Sequence, residues 1–259
     1  MECVLGIDIG SAFSKGIILC KGNIAGAHVM ASGGNYRRTA ERIKKTLLSH
    51  TGMTGKNIAR TVATGYGAQN VAYADEVRTD ISCHSKGIFS LFPSVRTAVD
   101  VGDLFSKAFR INEQGNSVTF LMSGKCAGGS ARVLQIIARV LHIQIDEIGA
   151  LALKSKKRID FNTGCAVFAE TEAVSRIAEG AIKEDLLAGI HRALAAQINS
   201  LAERVGIERD YALVGGGAQD VGLVTAVEQI VGFDIVVPEE PSMTAALGAA
   251  VMAQERVGA

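Results

Sequence analysis

Two turns of small residues each present one cysteine: Met122-Ser123-Gly124-Lys125-Cys126-Ala127-Gly128-Gly129-Ser130, and Asn162-Thr163-Gly164-Cys165-Ala166. Each precedes a run with helical periodicity. A helix N-terminus stabilises negative charge through its free N–H groups, so a thiolate, or an anionic cluster bound to it, is favoured there. Taken alone, each cysteine reads as a quiet buried thiol. Taken together they are half of a four-thiolate iron–sulfur site, and no C-x₂-C spacing supplies the other half. The expected metal ligands Cys126 and Cys165 therefore imply a cluster shared between two subunits.

Cys3, Cys20 and Cys83 complete an odd total of five. Wide spacing without a secretory signal argues against structural disulfides. Cys3 and Cys20 fall in apolar strands and are expected in the core. Cys83-His84 has no further ligand at metal spacing, so a structural role is expected, and His191 reads as a satisfied helical histidine. Glu170 and Glu172, one turn beyond Cys165, either stabilise the helix start or relay nucleotide state to the cluster.

Three glycine turns offer a second chemistry: Asp8-Ile9-Gly10-Ser11, Asp100-Val101-Gly102 and Gly215-Gly216-Gly217-Ala218. Glycines let backbone N–H groups approach phosphate oxygens closely, and carboxylates beside them can hold Mg²⁺ through its waters. The first two turns belong to an internal repeat offset by about ninety residues. Asp8 and Gly10 match Asp100 and Gly102, Phe13-Ser14-Lys15 matches Phe105-Ser106-Lys107, and Gly22-Asn23 matches Gly115-Asn116. So long a period implies two copies of a whole domain.

The elements that must position these turns follow from the apolar pattern. Each copy opens with three hairpin-linked strands, the first copy over Val4 to Gly10, Gly16 to Cys20 and Ile24 to Met30. Helices are expected at Arg37 to Ser49, Ile81 to Leu91, after Cys126 and Cys165, at Lys183 to Val205 and at Thr244 to Gln254. Further strands are expected at Thr61 to Thr64, Tyr211 to Val214 and Phe233 to Val237. The domains expected are 1–94 and 95–259, with the last helix returning toward the first domain and a cleft between the halves.

At 259 residues and 48% apolar content the chain can bury a large core. A net charge of +1 advertises neither nucleic acid nor an anionic membrane. The basic run from Tyr36-Arg37-Arg38 to Lys44-Lys45 has helical spacing and reads as a solvated face. Lys154-Ser155-Lys156-Lys157-Arg158 reads as that or as a docking surface. No segment approaches the roughly 18–20 apolar residues of a membrane span, so a soluble cytoplasmic protein is expected.

The glycine trio resembles the acetate kinase/sugar kinase/Hsp70/actin superfamily of ATPases. With Ser82-Cys83-His84-Ser85-Lys86-Gly87, Lys125-Cys126-Ala127-Gly128-Gly129, Cys165-Ala166-Val167-Phe168-Ala169-Glu170-Thr171-Glu172, Gly189-Ile190-His191-Arg192 and Gly215-Gly216-Gly217-Ala218-Gln219, the chain resembles, nearly end to end, the 2-hydroxyacyl-CoA dehydratase activators and benzoyl-CoA reductase ATPase subunits. The resemblance implies an α/β, duplicated actin-like (ribonuclease H-like) fold, with two domains around a nucleotide cleft. It implies ATP or ADP with Mg²⁺, Asp8 and Asp100 as catalytic carboxylates, and Gly10, Ser11, Ala12, Lys15, Gly102, Asp103, Gly215, Gly216, Gly217 and Gln219 around the nucleotide. Cys126 and Cys165 would share a 4Fe-4S cluster with the same pair in a second chain, in a homodimer or with a paralogous subunit.

ATP hydrolysis would then drive a low-potential electron, donated by a ferredoxin or flavodoxin, into an acceptor iron–sulfur reductase or dehydratase. ATP closing the two halves would rotate the helices that follow the two cysteines. Activators follow the second phosphate turn with Gly-Gly-Gln-Asp, and Asp103-Leu104-Phe105 stands there instead. That departure removes residues expected to orient the hydrolytic water and points to the reductase-subunit branch, with a dehydratase activator as the alternative and a small-molecule kinase or a filament ATPase behind it.

Overall fold

The computed structural model describes residues 2–124, 129–161 and 166–258. Cys126 and Cys165 thus lie outside the described residues. The chain divides into two compact units: Met1–Val95, Ile111–Val118 and Met243–Ala259 form the first, and Arg96–Arg110 and Thr119–Ser242 the second.

In the first unit, β1 (Cys3–Ile9) is buried along its whole length. It pairs antiparallel with β2 (Phe13–Cys20) and parallel with β4 (Ile58–Thr64). With β3 (Asn23–Ala31) and the short β5 (Glu76–Val77) the sheet order is β3-β2-β1-β4-β5. Burial on both faces explains why β1 reads as a continuous apolar run rather than an alternation. One face is covered by α1 (Tyr36–Thr51), where Asn35 caps by accepting from Arg38 N and Gly52 ends the helix in the left-handed region. Ala40, Ile43 and Leu47 of α1 pack with Leu5, Ile7 and Ile9 of β1. Arg37, Arg38 and Lys45 remain exposed, as a solvated face requires.

The other face carries α2 (Asp80–Leu91) and α8 (Thr244–Val257). They cross closely because both present glycine and alanine: a Cβ on Gly87 would lie 2.0 Å from Thr244 O, and one on Gly248 would lie 1.7 Å from Cys83 O. Cys83 and His84 serve this packing. The Cys83 thiol lies 3.9 Å from Met252 Sδ, with its pKa pushed up to about 12 by burial, and His84 Nδ1 is 2.8 Å from Thr244 Oγ1.

One expectation changes here. Cys3 and Cys20 are core residues, but they are joined as a disulfide. Although 17 residues apart in sequence, they are direct partners in the β1–β2 register, with Cα atoms 4.3 Å apart.

In the second unit, β6 (Thr97–Val101) is the buried central strand. It lies between β7 (Ser106–Ile111) and β9 (Tyr211–Val214), and β8 (Ser117–Met122) completes the order β8-β7-β6-β9. The segment expected as a strand from Phe233 to Val237 makes only one bridge, Ala212 to Val236. Pro238 follows it and has no N–H with which to extend a ladder.

Five helices pack around this sheet: α3 (Arg132–Val140), α4 (Ile148–Ala152), α5 (Ala166–Ala178), α6 (Lys183–Val205) and α7 (Val221–Val231). α3 follows directly on Ala131, whose N–H donates to Gly102 O. Among the described residues no helix is long and apolar enough to cross a membrane.

The α2–α8 crossing yields a stability prediction. Gly248→Val must displace backbone at Cys83, so urea unfolding should show a loss of about 3 kcal/mol or more, whereas Gly34→Ala, with nothing near its added methyl, should stay within about 0.5 kcal/mol.

Candidate functional site

Asp8 stands near the end of β1 and faces Lys15 directly across the β1–β2 register. Lys15 Nζ lies 3.0 Å from Asp8 Oδ2, with both side chains largely buried. The second carboxylate oxygen faces Gly65, at the end of the parallel neighbour β4. Gly65 has φ +89, and a Cβ on it would sit 2.1 Å from Asp8 Oδ1, so both the backbone conformation and the space require glycine. The hairpin after Asp8 is drawn tight: Ser32 Oγ donates to Gly10 O at 2.6 Å, and Ser32 N donates to Ala12 O at 2.9 Å. Ser11 and Ala12 are half-buried on this turn.

The second unit repeats the arrangement. Asp100 near the end of β6 faces Lys107 across the β6–β7 register, with Nζ 3.0 Å from Oδ2. Gly215 ends the parallel neighbour β9 with φ +85, and a Cβ there would lie 2.2 Å from Asp100 Oδ1. Gly217 packs on Val101 as Gly67 packs on Ile9. Each unit therefore has the same constellation: a carboxylate held by a lysine from the antiparallel side and approached by bare backbone from the parallel side. Such a site offers N–H donors and a hard oxygen at one place, which suits a phosphate with its Mg²⁺.

Sequence reasoning missed half of this pattern. Gly65-Tyr66-Gly67-Ala68-Gln69-Asn70 is the first unit's counterpart of Gly215-Gly216-Gly217-Ala218-Gln219-Asp220, and the shared G-x-G-A-Q was the available signal. Lys107 was matched to Lys15 by the repeat but was not counted among the nucleotide-site residues. Gly216 and Gln219 are exposed on the third turn, whereas Gly215 and Gly217 are buried.

Asp103 is engaged by protein. Arg132 of α3 forms an ion pair with it, and Gln135 Nε2 lies 3.4 Å from its Oδ1. Together with the Ala131 N–H bond to Gly102 O, this ties the second glycine turn to α3, the helix that follows Cys126 in the sequence. Asp220, just past the third turn, caps α7 by accepting from Gly222 N and Leu223 N, and His191 of α6 lies 3.0 Å from its other oxygen.

The chain has near-full-length relatives. It is 38% identical over 251 residues to the activator of lactoyl-CoA dehydratase of Anaerotignum propionicum, covering 97% of each protein. It is 36% identical over 249 residues to the 2-hydroxyisocaproyl-CoA dehydratase activator of Clostridioides difficile, covering 96% of this chain and 94% of the relative. A benzoyl-CoA reductase subunit of Thauera aromatica is 29% identical over 235 residues, covering 88% of this chain and 83% of that one. Component A of the Acidaminococcus fermentans (R)-2-hydroxyglutaryl-CoA dehydratase superposes with a TM-score of 0.96 at 35% identity, over 100% of both chains. The Clostridium difficile 2-hydroxyisocaproyl-CoA dehydratase activator with bound ADPNP gives 0.92 at 34%, over 99% of this chain and 96% of that one. Residues 5–253 match the BadF/BadG/BcrA/BcrD ATPase family, and the chain belongs to that family and has its actin-like ATPase fold.

Proposed function

We propose that this chain is an ATP-hydrolysing activator of a 2-hydroxyacyl-CoA dehydratase, working as a dimer whose two copies share one 4Fe-4S cluster. The observation that carries the reading is its near-full-length likeness, at 36–38% identity, to proteins named as dehydratase activators. The preference for the benzoyl-CoA reductase branch, built on Asp103-Leu104-Phe105, gives way to it. The reductase protein is the more distant relative, and Asp103 is bound by Arg132 and Gln135 as a local brace.

The donor chemistry fits. Two thiols per chain, Cys126 and Cys165, supply half of a four-thiolate set, and two copies complete it. The bound cluster supplies a one-electron carrier whose potential follows its exposure, its hydrogen bonds and the charge around it. The acceptor is the dehydratase, and the donor is a ferredoxin or flavodoxin in the cytoplasm.

On the nucleotide side, Asp8 and Asp100 are the hard oxygens for Mg²⁺ and its waters, with Lys15 and Lys107 holding each carboxylate in place. Gly10, Ser11, Ala12, Gly216 and Gly217 offer backbone N–H groups to phosphate and Gln219 an exposed amide, while Gly102 and Gly215, whose N–H groups donate to Phe105 O and Pro241 O, let the chain approach closely without a side chain. Phosphoryl transfer depends on positioning and charge more than on a strong base, so rigid carboxylates beside bare backbone are sufficient machinery.

The direct assay is anaerobic. The chain, a 2-hydroxyacyl-CoA dehydratase, ATP and a titanium(III) reductant should together dehydrate a 2-hydroxyacyl-CoA, and omission of ATP should abolish turnover. Reduction of benzoyl-CoA with a reductase core, but no dehydratase activation, would reverse the assignment.

Two mutational outcomes follow. Cys126→Ala or Cys165→Ala should reduce bound iron from about four per dimer to below about one while nucleotide affinity, measured by calorimetry, changes less than about threefold. Asp8→Asn or Asp100→Asn should lower ATP turnover by about a hundredfold or more. Each should also lower stability by about 3 kcal/mol in urea unfolding, because a buried lysine loses its counter-charge.

A further inference from the structure

The long helix α6 grips two different parts of the second unit. At its middle, His191 is 1% exposed, with Nδ1 2.6 Å from Leu187 O and Nε2 3.0 Å from Asp220 Oδ2. The buried ring thus bridges a backbone carbonyl of its own helix and the Asp220 carboxylate. The other Asp220 oxygen accepts from Gly222 N at 2.8 Å and Leu223 N at 3.1 Å, and Asp220 N donates to Gly217 O at 3.2 Å. The third glycine turn is therefore anchored through one carboxylate to both α6 and α7. α4 abuts the same group, since a Cβ on Gly149 would lie 2.3 Å from Asp220 Oδ1.

Toward its N-terminus, α6 clamps the segment 155–161 that leaves α4. Asp185 Oδ1 accepts from Ser155 Oγ at 2.8 Å, Lys156 N at 2.8 Å and Lys157 N at 2.9 Å. A Cβ on Gly189 would lie 2.4 Å from Ile159 O and 3.0 Å from the Phe161 ring, so the segment lies directly on the helix backbone. Arg192 donates to Ile159 O at 2.7 Å. Positions 185, 189 and 192 share one helix face by their spacing, and the segment they hold lies just ahead of Cys165 in the sequence. Further along α6, Gln197 Oε1 would lie 3.2 Å from a Cβ on Gly129, just past the Cys126 turn.

We propose that α6 couples the third glycine turn to the segment 155–161, with His191 and Asp220 as the receiving contact and Asp185, Gly189 and Arg192 as the grip. The inference rests on the reading of that turn as a nucleotide contact. His191 and Arg192 are positioning residues, acting through Asp220 and the Ile159 carbonyl. A nucleotide that moves the third turn moves the Asp220 carboxylate, the His191 ring follows its hydrogen-bond partner, and a rigid helix carries the shift to the clamped segment. Such a link needs contacts that respond differently to the two nucleotide states, and the grip, three hydrogen bonds on one Asp185 oxygen, is the place where that response is to be read.

Hydrogen–deuterium exchange on the full-length protein tests this at the Lys156 and Lys157 amides. In the wild type, exchange of 155–161 should differ by about threefold or more between ADP and a non-hydrolysable ATP analogue. His191→Gln should keep nucleotide affinity within about threefold yet lose that difference. Arg192→Met, altered at the other end, should speed exchange of 155–161 in both states while the peptide spanning residues 215–220 still responds to nucleotide. It also serves if His191→Gln fails to fold. A wild-type segment indifferent to bound nucleotide, or a His191→Gln protein with the full difference, overturns the link and leaves the activator reading intact. Failure of the wild type to bind nucleotide overturns the reading beneath it.

Discussion

The structure depends on a buried ion pair made twice. Asp8 with Lys15 and Asp100 with Lys107 are each set by strand register, a central strand facing its antiparallel neighbour, with the charged atoms 3.0 Å apart. Burying two charges costs several kcal/mol per ion unless geometry and hydrogen bonds compensate, so such pairs are weak devices for stability alone. They are effective for placement. A lysine from one side fixes which carboxylate oxygen is engaged, and a positive-φ glycine from the other keeps the second oxygen against open backbone. The order β2-β1-β4 in one sheet and β7-β6-β9 in the other is what brings an antiparallel lysine and a parallel glycine to the same aspartate.

This constraint explains which parts of the molecule are legible in its sequence. The first half of each constellation lies within about ten residues, Asp8 to Lys15 and Asp100 to Lys107, so the repeat is plain to inspection. The second half arrives after intervening elements of unequal length. α1 and a single 3-10 turn at Gly55–Asn57 separate β3 from β4, whereas α3, α4, α5 and α6 separate β8 from β9. The G-x-G-A-Q echo is thus displaced from the period of the first repeat and escapes a search at one offset. The long helices α1 and α6 are legible nearly to their ends. The Cys3–Cys20 bond is not, because register rather than spacing makes them partners.

Asp103 shows how a residue beside a phosphate turn can mislead. Read as a replacement for a water-orienting residue, it marks a branch of the family; placed in the fold, it binds Arg132 and Gln135 of α3. A carboxylate so engaged braces the helix that follows the Cys126 turn. Identity spread over the whole chain weighs more on branch than one local departure does, and it favours the dehydratase activators.

The basic stretch Lys154-Ser155-Lys156-Lys157-Arg158 and the motif Gly189-Ile190-His191-Arg192 look unrelated in sequence. One reads as a charge run and the other as a helical fragment. Their common explanation is geometric. Lys154, Lys156, Lys157 and Arg158 are exposed, yet the backbone beneath them is pinned by Asp185 and laid over Gly189, where any side chain would lift it away. His191, two residues on, turns toward Asp220 and the third glycine turn. Four consecutive residues of one helix thus face two structures, because successive positions on a helix point about 100° apart. A helix read only for its apolar stripe hides this division, since the residues that divide it are a glycine, a histidine and an arginine.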